Sequence, residues 1–124
     1  MNPNTARLLF YVGSSERDLK HLPEPIREEF SLGFLLALQG KHHSKAKPFK
    51  GFCGNSVLEI VADHRSGTYR ALYTVKFARA VYVLHVFQKK SKQGISTPKQ
   101  EVHLIQDRFK RAEIDYKERF KEIR

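Results

Sequence analysis

The chain has 124 residues, 40% of them hydrophobic, with 23 basic against 13 acidic side chains and a formal net charge of +10. That length suits one domain, 1–124, large enough to bury a core without staples, and too apolar to be a disordered basic tail. No apolar run reaches the ~18 residues of a membrane span, the first residues do not resemble a secretory signal, and the single cysteine, Cys53, excludes a disulfide framework or multi-cysteine zinc site; a compact cytoplasmic domain is expected.

Residues 7–12 are apolar and rich in strand formers, which predicts a first strand. Ser15 is placed as an N-cap with Asp18 in the first turn, so a short helix runs to about His21. Pro23 and Pro25 suit only the first turn of a second helix. Ile26, Phe30, Phe34 and Leu38 then recur every four residues as one apolar stripe, and Gly40 stands where a C-terminal cap belongs. Residues 32–38 are apolar on more than one face, which predicts cover from the sheet and from a second surface. The middle reads as an antiparallel meander: strands at 57–62, 68–77 and 81–87, with turns at 65–67 and 78–79. Thr97, Pro98 and Gln100 read as the start of a long helix over about 98–122. Its stripe is Val102, Ile105, Phe109, Ala112 and Tyr116. The order β-α-α-β-β-β-α makes the chain α+β, with helices beside a small antiparallel-meander sheet.

Charge is concentrated in two acid-free segments, about 41–54 and 89–99. The first carries Lys41, Lys45, Lys47 and Lys50, the second Lys89, Lys90, Lys92 and Lys99. Glycine, serine and proline punctuate both, so both read as loops. One such run would be a solvated surface; two, with a pI near 9.9, point to a polyanion partner. Neither has the apolar spacing of a basic amphipathic helix, so no membrane contact is expected.

Alternate strand residues share a face. Val81, Val83, His85 and Phe87 are therefore expected on one side of the last strand. Arg70 is expected beside Leu72 and Thr74, opposite Tyr69, Ala71 and Tyr73. The simplest role for His85 is that of a hydrogen-bonded sheet histidine. For Arg70 it is a salt bridge to Glu59 or Asp63. Taken together, however, these types fit RNA cleavage. That reaction needs a base for the 2′-hydroxyl proton, cations for the phosphoryl transition state and an acid for the departing 5′ oxygen. Histidine suits either proton task near neutral pH, arginine and lysine the charge, and Tyr73 or Phe87 could stack a base. No cofactor or metal is expected. His42 and His43 lack further ligands, Asp63 and His64 lack a supported nucleophile, and no P-loop, dinucleotide or zinc-protease motif occurs.

The run Gly67-Thr68-Tyr69-Arg70-Ala71-Leu72-Tyr73, followed by Val81-Tyr82-Val83-Leu84-His85-Val86-Phe87-Gln88-Lys89-Lys90-Ser91 and Thr97-Pro98, resembles the RelE/ParE superfamily of type II toxins, specifically its phage-derived HigB-like branch. The resemblance spans about residues 7–116. It implies a ribosome-dependent mRNA endoribonuclease, a cognate helix-turn-helix antitoxin forming a hetero-oligomer with the chain, and the superfamily's element order. By position it implies that Arg70, His85, Lys89 and Lys90 are catalytic and that Lys50 is a basic RNA-binding position; Lys47, Arg65, Tyr73, Phe87 and Lys92 are expected to bind RNA beside them. Two features depart from the best-known nucleases. Leu58 and Ile60 stand where those have lysines, and no C-terminal tyrosine follows Lys90 in their pattern. A ParE-like action on DNA gyrase and a purely antitoxin-binding module therefore remain as alternatives. The ribonuclease reading requires both cationic segments to converge beside Arg70 and His85, on a side of the sheet that the terminal helix does not plug.

Overall fold

The computed structural model describes residues 7–51, 56–89 and 98–121. Their elements run β1 (Leu8–Tyr11), α1 (Ser15–Lys20), α2 (Glu24–Leu38), β2 (Lys47–Pro48), β3 (Val57–His64), β4 (Gly67–Thr74), β5 (Ala80–Lys89) and α3 (Lys99–Arg119). The strands form one sheet in the order β1-β5-β4-β3-β2. β1 lies parallel to β5, and the other pairs are antiparallel. The short β3–β4 and β4–β5 links force neighbouring strands to pair, whereas β1 reaches β5 only through chain closure.

Two apolar clusters cover the two sheet faces. Ile26, Phe30 and Phe34 of α2 pack on Leu58, Ile60, Ala71, Tyr73, Val83 and Val86. On the other face Ile105 and Ala112 of α3 join Val57, Leu72, Tyr82 and Leu84, with Val102, Phe109, Tyr116 and Phe120 packed around them. The helical stripes read from the sequence are thus the buried ones. α3 has 21 residues, about 31 Å at ~1.5 Å per residue. Among the described residues no helix is long and apolar enough to cross a membrane.

Several local expectations change. Ser15 is not a cap; it is buried inside α1 and its hydroxyl donates to the Val83 carbonyl at 3.1 Å. Ser14 holds the N-cap position instead, and its hydroxyl donates to Asp18 at 2.8 Å. α2 opens with Pro23 at the N-cap. It closes with Gly40 at φ +78° and Lys41 N donating back to the Leu36 carbonyl at 2.8 Å, a six-to-one closure that favours glycine. The second cover expected over residues 32–38 is absent among the described residues, where Leu32 and Leu35 stay 50% and 54% exposed. The first basic segment is not all loop: Lys47 and Pro48 pair with Glu59 and Leu58 as an edge strand, where proline is tolerated. α3 starts after Pro98 as N-cap and ends at Arg119, short of 122; the expected cap at Thr97 lies outside the described residues.

The largest correction is in β5. Leu72 pairs with His85 but Tyr73 pairs with Val83, so Leu84 is an extra, unopposed residue. A bulge of this kind shifts the alternation by one. Val83 therefore faces α2, while His85 and Phe87 face the α3 side, and the predicted sharing of a face by Val81, Val83 and His85 does not hold.

Candidate active site

On the α3 side of the sheet, directly paired residues form rows. One row runs Lys47–Glu59–Leu72–His85, the next Arg70–Phe87 and then Thr68–Lys89. Opposed residues share a face, so Lys47, Glu59, Arg70, His85, Phe87 and Lys89 are set on one surface. Lys47 is three strands from His85, about 14 Å at ~4.8 Å per strand.

Arg70 is almost fully buried and its Nη1 donates to Glu59 Oε2 at 2.5 Å. The ion pair expected between neighbouring strands is therefore with Glu59. Asp63 instead accepts from the Thr68 hydroxyl at 2.9 Å. The pair lets a guanidinium sit within a sheet without an uncompensated charge.

His85 does not bond within the sheet. Its Nε2 meets Glu101 Oε1 at 2.6 Å, linking β5 to the first turn of α3. Its ring stacks on Phe87, 4.5 Å between centroids and 18° from parallel. Its Nδ1 is buried without a hydrogen-bond partner among the described residues. Burial lowers the imidazole pKa, and the Glu101 carboxylate opposes that shift. Arg108 and Asp18 lie close enough to act on it with opposite signs.

Glu101 and Arg108 carry no signal in the sequence pattern, since both sit among the polar positions of an amphipathic helix. Arg108 is nonetheless buried. Its guanidinium donates to the Leu84 carbonyl at 2.9 Å and to the Ser14 hydroxyl at 3.2 Å. β1 leaves the sheet edge after Val12 N donates to the Val83 carbonyl at 2.9 Å. The Ser15 hydroxyl adds a second donor to that Val83 carbonyl, and Arg108 satisfies the next one, of Leu84, which would otherwise be buried and costly.

The remaining expected site residues divide. Lys50 and Arg65 are exposed, Arg65 at the β3–β4 turn. Lys89 ends β5 opposite Thr68. Lys90 and Lys92 lie outside the described residues. Tyr73 is a correction: it is fully buried on the opposite, α2 face, edge-on to Phe34 at 5.4 Å. Burial pushes its hydroxyl up to about 12. It is a core residue and cannot stack on RNA. The first cationic segment is also split between faces. Lys45 Nζ pairs with Glu29 of α2 at 2.8 Å, and the Lys45 amide donates to His43 Nδ1 at 3.0 Å. Lys47, paired with Glu59, is set on the surface that carries His85, part of which α3 covers. Among the described residues no group of three or more His, Cys, Asp or Glu side chains is placed to hold a metal ion.

Residues 17–110 match the family described as phage-derived protein Gp49-like. The chain belongs to that family. All of Arg70, His85, Lys89, Glu101 and Arg108 fall within the matched span. No curated protein matches the Gp49-like chain. Solved structures do. A mutant of the E. coli toxin RelE in the free state aligns at TM-score 0.55 and 18% identity, covering 86% of this chain and 97% of the other. The isolated E. coli RelE toxin aligns at TM-score 0.51 and 16% identity, covering 82% and 98%. The Mycobacterium tuberculosis toxin–antitoxin complex RelBE2 overlaps at TM-score 0.40 and 26% identity, covering 68% and 99%. The two E. coli structures show that this Gp49-like chain has the RelE fold.

Proposed function

We propose that the chain is the toxin of a toxin–antitoxin pair, held in check by a helix-turn-helix antitoxin, and that it cleaves mRNA on the ribosome. The observation that carries this reading is the sheet surface on which Arg70, the His85–Glu101 pair, Phe87 and Lys89 meet inside a RelE fold. The titratable pair supplies proton transfer, the cations stabilise charge on the phosphoryl group, and Phe87 offers a ring to an unpaired base. Lys47, Lys50 and Arg65 extend the cationic surface toward the β2 edge and the β3–β4 turn, with Lys90 and Lys92 following in sequence.

In the reaction the 2′ oxygen loses its proton and bonds to phosphorus. The P–O5′ bond breaks, and the 5′ oxygen gains a proton. The products are a 2′,3′-cyclic phosphate and a 5′-hydroxyl end.

Induced expression with mapping of transcript 5′ ends tests the reading. Growth arrest with new internal 5′ ends on translated messages is expected. Arrest with intact messages overturns the nuclease activity, and cleavage complexes on DNA would move the target to gyrase. No arrest at all would leave a binding module.

A further inference from the structure

His85 and Glu101 differ in what can reach them. Both imidazole nitrogens are closed off: Nε2 is engaged by Glu101 Oε1 at 2.6 Å, and Nδ1 is buried with no partner among the described residues. The ring face is occupied by Phe87. The His85 side chain is 8% exposed, against 32% for Glu101. A base must approach the hydroxyl it deprotonates to about 2.6–3.2 Å, and the imidazole offers no such approach. A carboxylate has about four lone-pair sites on two oxygens, so bonding His85 through Oε1 leaves acceptor capacity on Glu101.

The other carboxylates of this face among the described residues are Glu59 and Asp63, and Asp63 accepts from the Thr68 hydroxyl at 2.9 Å two rows away from His85. Glu59 is bound to the Arg70 guanidinium, with its side chain 14% exposed. Glu101 also lies in the first turn of α3, where the helix dipole favours a carboxylate.

We propose that Glu101 is the catalytic base, the substrate-facing member of the pair, and that His85 is its positioning residue. The inference rests on the ribonuclease reading above. Glu101 takes the 2′-hydroxyl proton as the 2′ oxygen bonds to phosphorus. The electron pair of the broken P–O5′ bond stays on the 5′ oxygen, which takes a proton from water. The protonated Glu101 then releases its proton to solvent. His85 donates Nε2–H to Oε1 throughout and holds the carboxylate against the sheet. The charged groups that act on His85 besides Glu101 are Arg108 on α3 and Asp18 on α1, and on the sheet Arg70 of β4 lies two residue pairs along from His85 with Glu59 as its partner.

The experiment compares cleavage of ribosome-bound mRNA by the full chain and by Glu101→Gln, Glu101→Asp, His85→Gln and Glu59→Gln, across pH. Glu101→Gln keeps an oxygen that can accept from Nε2, so its thermal melt should match the unaltered chain. Its cleavage rate should fall by about 10²–10⁴-fold, the usual worth of a positioned base. The acid limb of the pH–rate profile should vanish with it. Glu101→Asp should restore part of the rate and the limb. His85→Gln, whose amide can still donate to Glu101, should lose less than Glu101→Gln and keep the limb. Cleavage by Glu101→Gln at the unaltered rate overturns the proposal. So does a greater loss in His85→Gln, or in Glu59→Gln at a temperature where its melt shows it folded. If the unaltered chain cuts no message, the ribonuclease reading fails and takes this inference with it. If it cuts and Glu101→Gln cuts equally, only this inference fails.

Discussion

Arg108 Nη1 donates to the carbonyl of Leu84 at 2.9 Å, and Leu84 is the extra residue of the β5 bulge. One helix side chain therefore satisfies the backbone irregularity that turns His85 toward α3. The same guanidinium reaches Ser14, whose hydroxyl donates to Asp18. β1, α1, β5 and α3 meet at this point.

Arg108→Met should unfold at lower urea. Removing a charged donor from a buried carbonyl costs about 1.5–3 kcal/mol. Denaturant titration at constant m-value measures it. The hydrogen exchange of the Leu84 and His85 amides should rise more than that of β3 amides, since the bulge loses its tether.

Gly13 and Arg108 should couple. Gly13 has φ +59°, and a Cβ there would lie 2.8 Å from the Arg108 guanidinium. Gly13→Ala meets a left-handed backbone cost of about 1–2 kcal/mol and also displaces Arg108 from its acceptors. In an Arg108→Met background the second part disappears. A double-mutant cycle should therefore show the two changes together costing less than their sum.

Burial holds the folded His85 below the ordinary imidazole pKa, with Glu101 opposing. Below about 6.5, the unfolded value, the unfolded chain then binds more protons than the folded one. Stability contributed here is present above that pH and is lost as pH falls toward the folded value. The urea midpoint should drop between pH 7.5 and 5, and the drop should be smaller in His85→Gln. Glu101→Gln should extend it to lower pH, because the opposing carboxylate charge is gone.

Arg70→Ala alone should be a poor probe of RNA binding. It strands Glu59 at 14% side-chain exposure, and breaking a buried pair costs about 3–5 kcal/mol. The double variant Glu59→Leu/Arg70→Met removes both charges and should recover most of that stability. If Arg70 grips phosphate, the double variant should be folded yet non-toxic, as read by melting temperature and growth on induction.

Tyr73→Phe should leave toxicity unchanged. The Tyr73 hydroxyl is buried without a partner among the described residues, so its removal should be neutral or stabilise by up to about 1 kcal/mol. Tyr73→Ala, which empties a core site against Phe34, should cost about 3–5 kcal/mol. Thermal melts of the two variants check the contrast.

Local periodicity was enough for most of the fold. The four-residue spacing from Ile26 to Phe34 and the stripe from Val102 to Tyr116 are buried as helical geometry requires. The meander of β3, β4 and β5 follows from β-branched runs and short turns. An ion pair from Arg70 to Glu59 or Asp63 was legible because a charge inside a strand must be compensated from the neighbouring one, and the structure decided for Glu59, diagonal to Arg70 on β3. These relations depend on neighbours in sequence or on adjacent strands, and such neighbours are close in any compact arrangement of the chain.

The site was less legible. Tyr73 was placed on RNA although its own alternation sets it opposite Arg70, and packing against Phe34 makes it core. The bulge at Leu84 shifts His85 by one position, and no residue near it announces an irregularity. Glu101 and Arg108 look like ordinary polar positions until α3 is laid across β5. The amino-acid sequence by itself determined the elements, their buried faces and the excess of positive charge, because these depend on spacing and composition. Only the tertiary structure decided which carboxylate meets His85, which guanidinium holds the bulge and which lysines share their surface, because those contacts join residues up to 94 positions apart and exist only once α3 packs on the sheet.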